Sequence, residues 1–446
     1  MNPLFFHAPP HWRTVRLKHT VTGCQNGTWG GEPDGGAGDV ICVRVADFDR
    51  VRQRVDLSNP TWRSVPPSYR RGRMLLRGDL LLEKSGGGDG QPVGAVVLYE
   101  SDSPALCSNF VARMPVALGF DGRFLCYLHA ALYSLRVNCR SINQSTGIQN
   151  LDSRSYLSEI VRVPDQEEQS RIADHLDAKT AVVDRLVRNK QRLLELILEK
   201  RDTLVTQVTS AGLEHRVPRK PACPAWLGAV PAHWRVTRLK FIRSGAFLYG
   251  TGEPANGADR NCPRYIRITD LTIDGALRED TFQSLTEPLA APYILQDGDV
   301  LFVRSGANVG QTLRYREEWG RACFASYLVR LRPDGRQILP DYLYYYTQSR
   351  AFQHQVRIGT VQATIANLSA DRYSNFAIPL PPVEEQRTMV EYLDCRTRVI
   401  DALVRTIRLQ IARLQEYRAA LVVDIVTRGI RRAKLSETPS RASAAG

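Results

Sequence analysis

Two stretches of the chain repeat apolar residues every seventh position over far longer distances than any other. Counting from Leu176 gives Leu176, Val183, Lys190, Ile197 and Leu204, and counting from Leu393 gives Leu393, Ile400, Ile407, Leu414 and Leu421. The fifth place of each heptad adds Val187, Leu194 and Val208 in the first stretch and Val404, Ile411 and Ile425 in the second. The fourth place is mixed, with Lys179, Leu186, Leu193 and Lys200 against Arg396, Leu403, Gln410 and Tyr417. This spacing predicts two long amphipathic helices with broad apolar stripes, over residues 164–212 and 381–430. Pro164 and Pro381 precede them, the acidic pairs Glu167-Glu168 and Glu384-Glu385 fill their first turns, and Gly212 and Gly429 follow their last. A helix of about 44 residues runs roughly 66 Å, too long to pack as an ordinary element on a globule of about 150 residues. Each needs a partner of equal length, and an antiparallel pair formed by the two helices supplies it, with Leu176, Val183, Leu186, Ile197, Leu204, Leu393, Ile400, Leu403, Ile407, Leu414 and Leu421 as interface residues.

The segments before each helix follow a different pattern. Short alternating or β-branched runs such as "DVICVRV", "GAVVLYE", "RYIRIT", "DVLFVRSG" and "YLVRLRP" are punctuated by Gly, Asp and Pro, which predicts strands. Helical patterns are few, the clearest being 124–135 and 340–352. Tyr342, Tyr344, Tyr345 and Tyr346 lie at helical spacing beside Leu343 and are expected in a core. The fold class is α+β: two tandem α+β domains, each followed by a long helix, the two helices pairing as an antiparallel coiled coil. The expected boundaries are 1–163 and 233–380 for the globules, 164–212 and 381–430 for the helices, 213–232 for a stiff Pro-rich connector and 431–446 for a solvated tail.

The chain also repeats itself. "HWRTVRLK" (11–18) is answered by "HWRVTRLK" (233–240), "VRVADF" (43–48) by "IRITDL" (266–271), and "GDLLLEKSG" (78–86) by "GDVLFVRSG" (298–306). "GIQNL" (147–151) is answered by "TIANL" (364–368), and "PDQEEQ" (164–169) by "PPVEEQ" (381–386). The offset drifts from about 222 to 217 residues, as small loop insertions would cause. Similarity is patchy in each globule and strong in each helix, so one part of each copy has diverged further than the other.

Charge narrows the class of partner. The formal net charge is +14, carried by arginine along the whole length, which favours an extended polyanion. The chain has no apolar run long enough to span a membrane and no secretion signal at its start, and a cytoplasmic location is expected. Nine scattered cysteines lack any C-x-x-C pair, so neither a zinc site nor a disulfide framework is indicated, and most are expected to be small buried apolar residues.

Three fragments invite a catalytic reading and each fails on its setting. "FLYGTG" (247–252) resembles a glycine-rich cofactor turn but lacks a strand-turn-helix context. "SNPTW" (58–62) lacks the second proline of the motif with which amino-methyltransferases hold a flipped base. "PD" (164–165) with "DAK" (177–179) is formally the acidic and lysine pattern of a metal-dependent nuclease, but Asp177 and Lys179 stand two apart on a helix and face different sides. There is no phosphate loop.

Taken together, the tandem layout, "WLGAVPAHWRVTRLK" (226–240), "EKSG", "VRSG", and above all "VPDQEEQ" and "PLPPVEEQ" leading into long helices resemble the specificity (S) subunits of type I restriction-modification systems, over nearly the full chain. The resemblance implies two target recognition domains that each read one half of a split DNA sequence, and a helical spacer that docks two methyltransferase (M) subunits and, where a system has one, a restriction (R) subunit. It implies a non-catalytic chain with no cofactor of its own, S-adenosylmethionine, ATP and Mg belonging to the partner subunits. The extra N-terminal helix found in some members is expected to be absent. Polar residues near strand ends are the candidate DNA contacts: Arg44, Lys84, Ser85 and Gln149 in the first copy, and Arg267, Arg304, Ser305, Asn308, Gln362 and Thr364 in the second. A solvated or turn-capping role is the alternative for each. Gly86 and Gly306 are expected to serve turns, and Trp12 and Trp234 to be packing anchors. The rival from another class is a DNA-independent coiled-coil scaffold carrying two protein-interaction domains.

Overall fold

The computed structural model describes residues 5, 7–36, 38–88, 90–145, 147–214, 216–255, 257–271, 277–360 and 367–430. Residues 431–446, the expected tail, lie outside the described residues. The chain divides into two compact units, each discontinuous in sequence: Met1–Lys190 with Gln410–Gly446, and Gln191–Leu409.

Both long helices form, over Gln166–Ala211 and Val383–Arg428. The first is opened by Asp165, whose carboxylate accepts from the Glu168 backbone N–H at 2.8 Å. Both are closed by a glycine in the left-handed region, Gly212 at φ 75° and Gly429 at φ 78°. Their N–H groups donate to Val208 O and Ile425 O, a left-handed cap that a side chain would strain.

In the first unit a six-stranded sheet runs in the order Gln25–Asn26, Val111–Met114, Leu80–Glu83, Val96–Leu98, Arg54–Val55, Phe48–Asp49. The uninterrupted "LLLE" run is explained by burial on both faces. Leu80 and Leu82 pack with the helix Gly122–Ser134 and with Ile172, Leu176, Val422 and Ile425 of the long helices. Leu81 faces a separate cluster with Val43, Val97 and Tyr99. The second unit repeats the arrangement on a four-stranded antiparallel sheet, ordered Leu248–Tyr249, Leu328–Leu331, Val300–Val303, Thr312–Arg314. Val300 and Phe302 face the helices, and Leu301 and Val303 face the other way. Tyr342, Tyr345 and Tyr346 are buried in this core, as their spacing predicts. The helix expected over 340–352 is two helices, Pro340–Gln348 and Arg350–Thr360, meeting at Ser349.

The quoted repeats turn out to be a shared frame. "RTVR" (Arg13–Arg16) pairs antiparallel with Ile160–Val163, the strand that enters the first helix, and Arg235–Arg238 pairs likewise with Ala377–Leu380. His11 Nε2 meets Glu168 at 2.8 Å, and His233 Nε2 meets Glu385 at 2.8 Å. Gln169 and Gln386 are buried and their amides donate back to Pro164 O and Pro381 O. Trp12 and Trp234 are buried anchors, and the glycines ending the helices lie against them, Gly429 beside Trp12 and Gly212 beside Trp234. "HWR", "EEQ" and the terminal glycine thus recur because they touch one another.

The helix seam differs from the expected one. Its inner positions are the first and fifth of each heptad: Leu176, Thr180, Val183 and Val187, and then Leu393, Thr397, Val404 and Ile407, are buried. Ile197, Leu204, Ile400, Leu414 and Leu421 are half-buried. Leu186 and Leu403, expected inside, are 45% and 44% exposed. A repeat spaced four-three-four already fills a coiled-coil seam, so the fourth-place residues are turned outward. Two equivalent ion pairs set the antiparallel register: Arg418 Nε to Asp184 Oδ1 at 2.9 Å in the first unit, and Arg201 Nε to Asp401 Oδ1 at 2.8 Å in the second. In the first unit Lys190 Nζ also reaches Gln410 Oε1 at 2.7 Å, which accommodates a lysine at a seam position.

Two other expectations are corrected. Much of the Pro-rich segment 213–232 is an ordered hairpin: Arg219–Pro221 pairs with Ala229–Pro231, and Ala222, Leu227 and Val230 are buried in the second unit's core. The prolines fit because a two-stranded hairpin has free edges where a missing N–H costs no ladder bond. Of the nine cysteines, all free, only Cys42, Cys107, Cys126 and Cys323 are buried, and Cys223 and Cys395 are exposed.

Burial also produces a pH dependence. His129, fully enclosed in the first unit, bonds Tyr156 Oη through Nδ1 at 2.8 Å. Burial pushes its pKa down from 6.5 to about 4. The unfolded chain takes up this proton below pH 6.5 and the folded chain does not until about pH 4, so stability is full above 6.5 and is lost across that window. A loss of about 2 kcal/mol between pH 7 and pH 5 is expected from this group. Urea unfolding at the two pH values checks it, and His129→Gln should flatten the difference.

Candidate nucleic-acid interface

The first unit places Ser85 and Gln149 on one three-stranded sheet, ordered Ile142–Ser145, Ile148–Leu151, Ser85–Gly86, with Lys84 immediately before its last strand. Lys84 Nζ donates to Ser153 Oγ at 3.0 Å and Ser85 Oγ to Asn150 Oδ1 at 2.6 Å. Gln149 is turned inward: it is buried, and its Oε1 accepts from the Val93 N–H at 3.2 Å. Strand alternation explains this, since Gln149 lies between exposed Ile148 and Asn150. The exposed amides are instead Asn143, Gln144 and Asn150, with Asn143 opposite Asn150 in the register. Their signal in the sequence is the polar run "NQS" (143–145), which falls outside the strand-end positions expected to touch DNA.

The second unit builds the equivalent place from different residues. Ser305 bridges Asn367 as Ser85 pairs Asn150, and the Leu368 N–H donates to Arg304 O as the Leu151 N–H donates to Lys84 O. The Arg304 guanidinium lies over the Tyr249 ring at 4.7 Å. Asn308 is exposed in the following turn, where its carbonyl accepts from Gln311 N–H. Gly306, at φ 86°, opens the turn closed by the Val309 N–H to Gly306 O, whereas Gly86, at φ 122°, lies in the strand Ser85–Gly86 opposite Gln149 and not in a turn. Gln362 and Thr364 lie outside the described residues.

Arg44 and Arg267 stand apart from these clusters chemically. Each caps a short 3-10 turn, Val45–Asp47 or Ile268–Asp270, and its guanidinium grips the aspartate at the turn's end at 2.9 Å. That aspartate is buried and also accepts the arginine's own backbone N–H at 2.8 Å. The recurrence of "VRVAD" and "IRITD" is therefore explained by turn closure. Asp177, the residue of the nuclease-like pair, is held by Arg123 and Tyr127, and its equivalent Asp394 by Tyr345. Among the described residues no group of three or more His, Cys, Asp or Glu side chains is placed to hold a metal ion, and no helix is long and apolar enough to cross a membrane.

The long helices carry a second exposed feature. The first exposes Val182, Leu186, Leu193 and Leu196, and the second exposes Val399 and Leu403 at the positions equivalent to Val182 and Leu186. Within the first unit Val182 and Leu186 lie about 40° apart at about 100° per residue, on one side of the helix.

Residues 270–413 match the family described as "Type I restriction modification DNA specificity domain". That stretch of the second copy is similar to the type I specificity domain. It is 21% identical over 322 residues to the type I restriction enzyme EcoBI specificity subunit of Escherichia coli, covering 70% of this chain and 66% of that one. It is 23% identical over 315 residues to the type I restriction enzyme MjaVIII specificity subunit of Methanocaldococcus jannaschii, covering 67% and 69%. A solved structure described as "Structural basis underlying complex assembly and conformational transition of the type I R-M system" shares the fold, with a TM-score of 0.64 at 19% identity over 95% of this chain and 99% of that one. The shared fold agrees with the tandem α+β globules and paired helices described above.

Proposed function

We propose that this chain is the DNA-recognition subunit of a type I restriction-modification assembly. Each globule reads one half of a split duplex site, and the antiparallel helices hold the readers at a set separation. The observation that carries the reading is one scaffold used twice with different surface chemistry at the same place. The Ser85–Asn150 and Ser305–Asn367 frames are alike, whereas one site offers Asn143, Gln144 and Lys84 and the other Arg304 and Asn308. Amides pair with adenine edges and arginine with guanine, so such a swap changes which bases are read. Phosphate contacts supplied by the basic surface give affinity, and rigid linkage of two modest readers raises it through effective concentration. In this reading Arg44, Arg267 and Gln149 serve the scaffold.

The outward stripes around Leu186 and Leu403 are the surfaces on which two methyltransferase subunits dock, with a restriction subunit joining the same assembly. Catalysis, S-adenosylmethionine, ATP and Mg belong to those partners, and the assembly works in the cytoplasm. The test is to assay the chain alone and with the methyltransferase subunit encoded beside it. Together they are expected to methylate adenine at one bipartite sequence, with duplex binding that weakens steeply with salt. Methyl transfer or cleavage by the isolated chain would refute the reading. Assembly without any duplex binding would favour the scaffold alternative.

A further inference from the structure

Each unit exposes a large aromatic ring at the same point of its scaffold. Phe110 is 52% exposed and Tyr327 61% exposed, and they stand 217 residues apart, the spacing that relates the two helices. Each occupies the third position of a tight turn into a core strand. The Val111 N–H donates to Ser108 O at 3.1 Å, and the Leu328 N–H to Ala325 O at 2.9 Å. Neither ring is needed for the turn. That position favours small polar residues, and neither Phe110 nor Tyr327 has the positive φ that would call for a special one. A single exposed aromatic is unremarkable, but two in equivalent turns of globules that otherwise differ at their surfaces call for a shared cause.

The neighbouring residues indicate what the rings face. In the first unit the Phe110 carbonyl accepts the Lys84 N–H at 2.8 Å, and in the second the Tyr327 carbonyl accepts the Arg304 N–H at 3.0 Å. Each turn is thus tied by backbone to the basic residue of the candidate interface, itself joined to Ser85–Asn150 or Ser305–Asn367. An apolar ring on a turn one backbone hydrogen bond from a basic residue suits a duplex groove, which presents phosphates at its rim, polar base edges on its floor and apolar base faces once a step is opened. Inserted apolar side chains of this kind partly unstack a base step and bend the helix, and the lost stacking is offset by wider contact.

We infer that Phe110 and Tyr327 are aromatic wedges, one per half-site, that press against a base step as the adjacent hairpins read the bases. This inference rests on the DNA-recognition reading above and adds a positioning role that hydrogen-bonding residues cannot supply.

The experiment uses the full chain assembled with its methyltransferase subunit. The probes are a duplex carrying the bipartite site mapped from methylated adenines in cells and a scrambled duplex of equal length. Phe110→Ala and Tyr327→Ala are each expected to weaken binding to the site about tenfold, as loss of one base–aromatic contact does. Phe110→Tyr and Tyr327→Phe should stay within about twofold, because ring area is what matters. Thermal midpoints and assembly with the methyltransferase subunit in the absence of DNA should be unchanged. With 2-aminopurine placed in one half-site, wild-type binding should raise fluorescence, and the alanine variant of that half only should abolish the rise. Alanine variants that bind the site like wild type, or that fail only in assembling with the methyltransferase subunit, would overturn the wedge role and leave the recognition reading intact. A wild-type assembly that does not prefer the site over the scrambled duplex would overturn both.

Discussion

Arg418→Ala is expected to lower the stability of the first compact unit by about 3 kcal/mol. The Arg418 and Asp184 side chains are 6% and 12% exposed and meet at 2.9 Å, and Arg418 also reaches Gln53. Removing the cation leaves a carboxylate in a seam otherwise formed by Val183, Val187 and half-buried Leu414, and that stranded charge carries most of the cost. The equivalent Arg201→Ala in the second unit should cost less, about 1–2 kcal/mol, because Asp401 is 31% exposed and keeps some water. Replacing both partners, Arg418→Met with Asp184→Leu, should restore much of the loss, since an apolar pair of similar volume removes the desolvation penalty. Chemical unfolding followed by tryptophan fluorescence gives the order. Equal costs for Arg418→Ala and Arg201→Ala would show that burial does not set the difference.

The second large effect is geometric and follows from the proposed ruler. Seven residues inserted after Lys190 and seven after Leu409 fall at the boundary between the compact units. Each unit's seam, including Arg418–Asp184, Lys190–Gln410 and Arg201–Asp401, keeps its register. The insertion adds about 10.5 Å of helix, or at most roughly three base pairs of spacer. Mapping of methylated adenines should return both half-sites unchanged, with a spacer one to three base pairs longer. Insertion in one helix alone should abolish methylation, because the antiparallel register can no longer be satisfied in both units. Altered half-sites with an unchanged spacer would show that readout and separation are not divided between globules and helices.

What could be read before the structure was whatever repeats at short range. The helices, their acidic first turns and their terminal glycines follow from local periodicity and capping chemistry, and they form within two residues of where these signals end. The tandem copies were visible because paired residues recur together: His233 with Glu385 and Arg201 with Asp401 reappear as His11 with Glu168 and Arg418 with Asp184. Such a list does not tell partners apart from ligand-binding residues. Arg44 and Arg267, candidates because they stand near strand ends, each close their own turn on a buried aspartate, a pairing that recurs with them.

The tertiary structure decided which faces and which partners. A heptad pattern rich in apolar residues at its first, fourth and fifth places is compatible with more than one seam, and only the neighbouring helix put Leu186 and Leu403 outside and Val187 and Val404 inside. Alternation in the strand Ile148–Leu151 sets Gln149 and Asn150 on opposite sides, but the packing of Gln149 against Val93 determined which side was core. Most of all, the sequence places each helix after its own globule, yet the end of each lies against the tryptophan of the other copy, Gly429 by Trp12 and Gly212 by Trp234. Periodicity carries the length and the stripe of a helix because those depend on neighbours three and four residues away. The choice of partner depends on residues some 200 positions distant, and only the folded chain brings them together.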